Sequence, residues 1–144
     1  MPGIKFHRDG SVPQSGEVFV FGSNTAGRHG KGSALLARQQ FGARMGFGKG
    51  YMTGPNPGEH CYALPTKNSH LYPLSLYEIS KHIRDFYFDI TRTDLADKQL
   101  FITRIGCGLA GYSDNDIAPM FRNFPENCSF PDTWRPWLET KENT

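Results

Sequence analysis

The chain is poor in several features, and each shortage excludes a class. Nowhere in its 144 residues does an apolar run approach the ~20 residues that a membrane-crossing helix requires. Cysteine is scarce: three residues, an odd number at scattered positions, make neither a disulfide framework nor a CxxC metal motif. His7, His29, His60, His70 and His82 never fall into HxH or HExxH spacing, so no metal and no cofactor is expected. Neither sign of charge dominates, with 16 Lys+Arg against 14 Asp+Glu, and there is no Lys/Arg run, so a nucleic-acid partner is not expected. The opening MPGIKFHRDGS has no apolar stretch after its first charges. It is therefore not read as a secretory signal, and a cytoplasmic location is the expectation. Repeats and low-complexity tracts are absent too, and 13% aromatic residues are too many for a disordered chain.

What is present is unevenly distributed. Residues 1–72 hold eight Lys/Arg and three Asp/Glu, whereas residues 73–144 hold eight and eleven. Ten of the 16 glycines lie between Gly22 and Gly58. Glycine lets backbone amides approach a ligand closely, and a locally positive field favours an anion there. The alternative reading is that the glycines mark turns and the charge is solvated surface. The length suits one domain over residues 1–140, with residues 141–144 as a frayed tail.

Periodicity supplies the elements. Glu17–Gly22 (EVFVFG) reads as a buried strand, and KGSALLARQQ as a helix stopped by Gly42. Ala43–Gly58, rich in Gly and Pro, reads as a long loop, and His60–Leu64 as a strand ended by Pro65. Ser75 and Glu78 have capping-box spacing, and Ile79, Ile83, Phe86 and Ile90 recur at three- and four-residue steps, which predicts an amphipathic helix. Gln99–Ile105 reads as a strand and Asp114–Phe124 as a short helix. Strand, glycine loop and helix thus occur twice in that order. This predicts an α/β fold with a mixed, mostly parallel sheet and helices packed against it, whose ligand sites lie beyond the carboxyl ends of the strands.

Both glycine loops leave a strand at that end. The first, FGSNTAGRHGKGSA, fails the GxxxxGK[ST] pattern because Gly32 follows Lys31, and fails GxGxxG because Leu35 holds the last position. Its place before a helix still lets backbone N–H groups face a phosphate at the helix N-terminus. The second, IGCGLAGY, could wrap a diphosphate from the other side through Gly106, Gly108 and Gly111, or could be a tight turn.

Together, FGSNTAGRHGKGSA and TRIGCGLAGYSDNDIAPMF resemble the macrodomain family, whose members bind ADP-ribose. The resemblance spans roughly residues 17–124 and is strongest to the compact branch of ADP-ribosyl-glutamate hydrolases and ADP-ribose 1''-phosphate phosphatases. It implies a three-layer α/β/α fold with helices on both faces of the sheet, and ADP-ribose or an ADP-ribosylated substrate as partner. It implies that Asn24 holds the distal ribose, with Ser23 beside it as a further ligand-binding residue, and that Gly30, Lys31 and Gly32 form the first phosphate loop. It assigns Gly106, Cys107, Gly108, Leu109, Ala110, Gly111 and Tyr112 to the second, and Asp9 to the adenine amine. Lys67 stands where the hydrolase branch has a lysine that attacks the distal ribose. That branch pairs it with an aspartate after GCGL, where this chain has Ala110, leaving Asp114 or Asp116 as substitutes.

The candidate catalytic residues are therefore Lys67, His29 and Asp114. Lys67 is either a nucleophile or a surface lysine, and His29 either an acid–base group or an exposed loop histidine. Cys107 has no identifiable His partner and reads as a small residue under the loop rather than a nucleophile. Phe47, Tyr51 and Tyr112 are candidates to cover the ligand. Two function classes follow: hydrolysis of an ADP-ribose derivative at the distal ribose, or binding without chemistry.

Overall fold

The computed structural model describes residues 3–14 and 16–139; the expected tail at 141–144 lies outside them, as does residue 140. Six strands form one sheet: β1 (Lys5–His7), β2 (Val18–Asn24), β3 (Gly50–Thr53), β4 (His60–Lys67), β5 (Leu100–Ile102) and β6 (Cys128–Pro131). Their spatial order is β1-β6-β5-β2-β4-β3. Only β3 runs antiparallel to its neighbour; all other pairs are parallel. The mixed, mostly parallel sheet with helices on both faces is the expected architecture.

Alternation along the central strands explains the layers. Val18, Val20, Tyr62, Leu64, Leu100 and Ile102 point to one face, while Phe19, Phe21, Cys61, Ala63 and Phe101 point to the other. The second face is covered by α1 (Gly32–Gln40) through Ala34 and Ala37. The first is covered by α2 (Leu76–Arg92), whose Ile79, Ile83, Phe86 and Ile90 are all buried as the periodicity predicts. Each such side chain contributes roughly 1.5–3 kcal/mol of burial. The capping box is present in full: the Ser75 hydroxyl accepts from Glu78 N, and Glu78 accepts from Ser75 N. Two further short helices, α3 (Asp114–Ile117) and α4 (Arg135–Leu138), complete that layer with fully buried Trp134.

Four expectations are corrected. The stretch Ala43–Gly58 is not all loop, since it contains β3, paired to β4 from Gly50↔Ala63 to Thr53↔His60. Pro65 does not end its strand, which runs to Lys67. Proline fits where a ladder is incomplete; here β3 has ended opposite Ala63, and β2 shifts register between Ser23 and Asn24. The strand expected over Gln99–Ile105 shortens to Leu100–Ile102, because Ile105 N turns back to donate to Thr103 O at 2.7 Å. The helix expected over Asp114–Phe124 splits into α3 and a 3-10 turn, Ala118–Phe121, with Pro119 in its first turn. No helix among the described residues is long and apolar enough to cross a membrane.

Candidate functional site

The carboxyl ends of β2, β4 and β5 open onto a cleft of about 670 Å³. The second loop packs against β2 and β4 there: a Cβ built on Gly22 would lie at ordinary contact distance, 3.4 Å from Thr66 Oγ1 and 3.6 Å from Gly106 N. A smaller cavity of about 330 Å³ adjoins the cleft, bounded by His7, Asp9, Phe101 and Cys107. The two spaces share Gly32, Ser33, Thr103, Arg104 and Gly108.

Two stretches whose backbone amides lack a protein acceptor line the larger cleft. At the start of α1, Gly32, Ser33 and Ala34 line the wall, Lys31 gives no side-chain cap, and the first turn holds no acidic residue. A helix N-terminus left in that state carries unpaired N–H groups and the positive end of the helix dipole. In the second loop, Cys107 N, Gly111 N and Tyr112 N donate to Arg104 O, Gly108 O and Gly106 O. The amides of Gly106, Gly108, Leu109 and Ala110, which also line the cleft, find no protein acceptor among the described residues. The backbone turn is set by Gly106, at φ 77°, where a Cβ would meet Ile117 Cδ1 at 3.0 Å.

The side chains of the cleft add one sign of charge. Arg28, Lys31, Lys67 and Arg104 line it, and no Asp or Glu is among its lining residues. Among the described residues, Arg28, Lys31 and Lys67 have no ion-pair partner. Arg104 does. Its Nε and Nη2 donate to Asp114 Oδ1 and Oδ2 at 2.9 and 3.1 Å, and Nη1 lies 3.6 Å from Asp9 Oδ2. The fork to Asp114 holds the guanidinium more firmly protonated than usual.

The structure sorts the expected site residues into those that face the cavities and those that build them. Gly30, Lys31, Gly32, Gly106, Gly108, Leu109, Ala110 and Lys67 line the larger cleft, and Asp9 and Cys107 the smaller cavity. Ser23 and Asn24 also line the cleft, but their side chains are buried and engaged with the protein. The Ser23 hydroxyl donates to Gly48 O, while Asn24 Nδ2 donates to Arg28 O at 2.9 Å and Asn24 Oδ1 accepts from Arg28 N at 2.9 Å. They fix the curl of the first loop.

Other placements are corrections. His29 lines neither cavity. It is fully buried, edge-on to Phe21, and its Nε2–H donates to Phe47 O at 3.0 Å. An acid–base role on a ligand does not fit a ring shielded in this way. Asp114 lines neither cavity; both oxygens go to Arg104, and Oδ1 also accepts from Trp134 Nε1 at 2.8 Å. Gly111 and Tyr112 shape the second loop from behind, the Tyr112 hydroxyl donating to Leu74 O at 2.6 Å. Phe47 and Tyr51 lie outside both cavities, Phe47 under the Arg44 guanidinium and Tyr51 hydrogen-bonded to His60. The Cys107 thiol, pushed up to about 12 chiefly by burial, stays protonated at neutral pH and is no nucleophile.

Sequence reasoning missed Arg28, Thr66, Leu71, Thr103 and Arg104 in the larger cleft, and His7 and Phe101 in the smaller cavity. Thr103 and Arg104 were findable, since they follow a strand directly before the glycine loop, where α/β sheets place ligands. Arg28 was findable in the same way, lying inside the first glycine loop, and Thr66 adjoins Lys67. His7 and Leu71 lack such a signal: β1 is three residues long, and Leu71 reaches the cleft only through a turn closed by Asn68, whose Oδ1 accepts from His70 N and Tyr72 N.

No family model matches the sequence, and no curated protein matches it. Solved structures do. The chain is similar to the macrodomain of Mycobacterium tuberculosis DarG, at 22% identity and TM-score 0.69, covering 90% of this chain and 99% of that one. It is also similar to the macrodomain of Thermus aquaticus DarG, at 17% identity and TM-score 0.59, covering 88% and 95%. The fold is therefore that of a macrodomain.

Proposed function

We propose that this macrodomain fold binds ADP-ribose, free or as part of a larger substrate, with the diphosphate in the 670 Å³ cleft and the adenosine end toward the smaller cavity. One observation carries the reading: two sets of unpaired amides and three cationic side chains without an ion-pair partner, Arg28, Lys31 and Lys67, line one cleft that holds no carboxylate among the described residues. A diphosphate satisfies such amides and is attracted by such charge. Asp9 lines the smaller cavity, which supports a contact with the adenine amine in this reading. The free thiols of Cys61, Cys107 and Cys128 support a reducing compartment, the cytoplasm.

A second reading, hydrolysis at the distal ribose, is favoured by Lys67, the lining amine at the end of β4. With Ala110 in the loop and Asp114 tied to Arg104, the cleft offers Lys67 no carboxylate partner. Catalysis would rest on Lys67 and on charge stabilisation by amides and cations.

A thermal-shift titration with ADP-ribose, AMP and ribose 5-phosphate tests the binding reading. At 100 times the dissociation constant, binding adds about 2.7 kcal/mol, a rise of roughly 5–10 °C in the unfolding midpoint. No shift at millimolar ADP-ribose overturns it. Turnover of ADP-ribose 1''-phosphate that survives in Lys67→Ala overturns the catalytic assignment.

A further inference from the structure

Arg104 stands where the two cavities meet, and lines both. Its charged edge is already in use, facing Asp114 through a two-bond fork and Asp9 at 3.6 Å. Two carboxylates around one guanidinium leave no surplus positive charge for a phosphate, and the amide-lined cleft beside it supplies the phosphate ligands instead. What remains of a guanidinium held by its edge is its flat face, and arginine faces stack on planar rings. The fork is itself anchored, because Asp114 Oδ1 also accepts from Trp134 Nε1 at 2.8 Å, and the Trp134 side chain is completely buried. The plane is thus fixed from the core before any ligand arrives. The smaller cavity has a second flat group in its lining: His7 and Phe101 stack with ring centroids 3.7 Å apart and an interplanar angle of 16°.

We infer that Arg104 is the platform for the base: its guanidinium face stacks on the planar base of the bound nucleotide in the smaller cavity, and Asp114 is the positioning residue that sets the plane. The inference rests on the ADP-ribose reading above and adds the group that recognises the base. It also gives Asp114 a task that does not touch the ligand.

The test separates plane from charge. Binding of ADP-ribose and of inorganic pyrophosphate is measured by calorimetry for the wild-type chain, Arg104→Lys, Arg104→Ala and Asp114→Asn, with ligand-free unfolding midpoints as a fold control. Ribose 5-phosphate on the wild type is a comparison that needs no variant. Loss of a base–side-chain stack predicts roughly tenfold weaker ADP-ribose binding in both Arg104 variants. Pyrophosphate binding should be unchanged in both, and Asp114→Asn should weaken ADP-ribose alone. If Arg104→Lys binds ADP-ribose as the wild type does while Arg104→Ala loses both ligands, Arg104 is a phosphate ligand and the inference fails. It also fails if all variants bind as the wild type, or if the wild type holds ADP-ribose no more tightly than ribose 5-phosphate. A wild type that binds pyrophosphate but not ADP-ribose removes the base site alone; one that binds neither removes the underlying reading as well.

Discussion

His29 Nε2 donates to the carbonyl of Phe47 at 3.0 Å, tying the first glycine loop to a segment eighteen residues further on. The tie is one of several: His29 N donates to Met45 Sδ at 3.4 Å, Gly46 N to Gly27 O at 3.0 Å, and the Ser23 hydroxyl to Gly48 O. Residues 44–48 are therefore a brace beneath the loop, not a flap over the ligand. His29→Ala removes a buried ring and leaves the Phe47 carbonyl without its donor. We expect a loss of about 2–3 kcal/mol in urea unfolding. An unchanged unfolding midpoint together with lost activity would return His29 to a chemical role.

The same brace makes two glycines opposite in character. A Cβ on Gly48 would lie 2.1 Å from the Asn24 carbonyl, a contact that backbone must move to relieve. A Cβ on Gly30 meets nothing within 4 Å, yet Gly30 lines the cleft. Gly48→Ala should cost roughly 3 kcal/mol of stability. Gly30→Ala should change stability by less than about 0.5 kcal/mol while reducing the ligand-induced thermal shift. Equal effects on stability would show that the loops do not cross as closely as described.

These contrasts mark what was legible in the sequence. The amphipathic period of Ile79, Ile83, Phe86 and Ile90 and the Ser75–Glu78 box are local signals, and they specify α2 without tertiary help. The two glycine loops were legible as loops beyond strands, so the larger cleft was foreseeable from the chain order. The fates of His29 and Asp114 were not. Both are decided by partners distant in sequence or on another element: Phe47 eighteen residues on, and Trp134 twenty. Strands of three or four residues such as β1 and β6 carry too little alternation to be seen, and with β1 the smaller cavity was hidden.

The bare N-terminus of α1 permits a test in which fold and function move apart. Ser33 is exposed in its first turn, which has no acidic residue and no capping side chain. Ser33→Asp adds a carboxylate at the positive end of the helix dipole. It should hold or raise ligand-free stability by about 0.3–1 kcal/mol. The same charge competes with the diphosphate for the amides of Gly32 and Ala34, so the ADP-ribose-induced shift in midpoint should vanish. A retained shift would place the diphosphate elsewhere.

Acid should weaken the fold through two histidines. Burial holds His7 below its ordinary 6.5, against the opposing pull of the Ile102 backbone, Asp132 and Asp9. Burial and nearby Lys49 do the same to His82. Each has one buried ring nitrogen without a hydrogen-bond partner, His7 Nε2 and His82 Nδ1. Between the lowered folded values and 6.5, the unfolded chain binds more protons than the folded one, so stability rises with pH in that window. It is fully present above about 6.5 and is lost as pH falls toward the folded values. The depressed carboxylates Glu78 and Asp85 start from 4.5 and 3.8 and titrate below this window. Urea midpoints measured from about pH 7.5 down to about pH 5.5 should therefore fall, and the fall should be smaller in His82→Gln, which removes one of the two groups without opening the stack of His7 on Phe101. A flat profile in the wild-type chain would mean that both rings reach solvent before the chain unfolds.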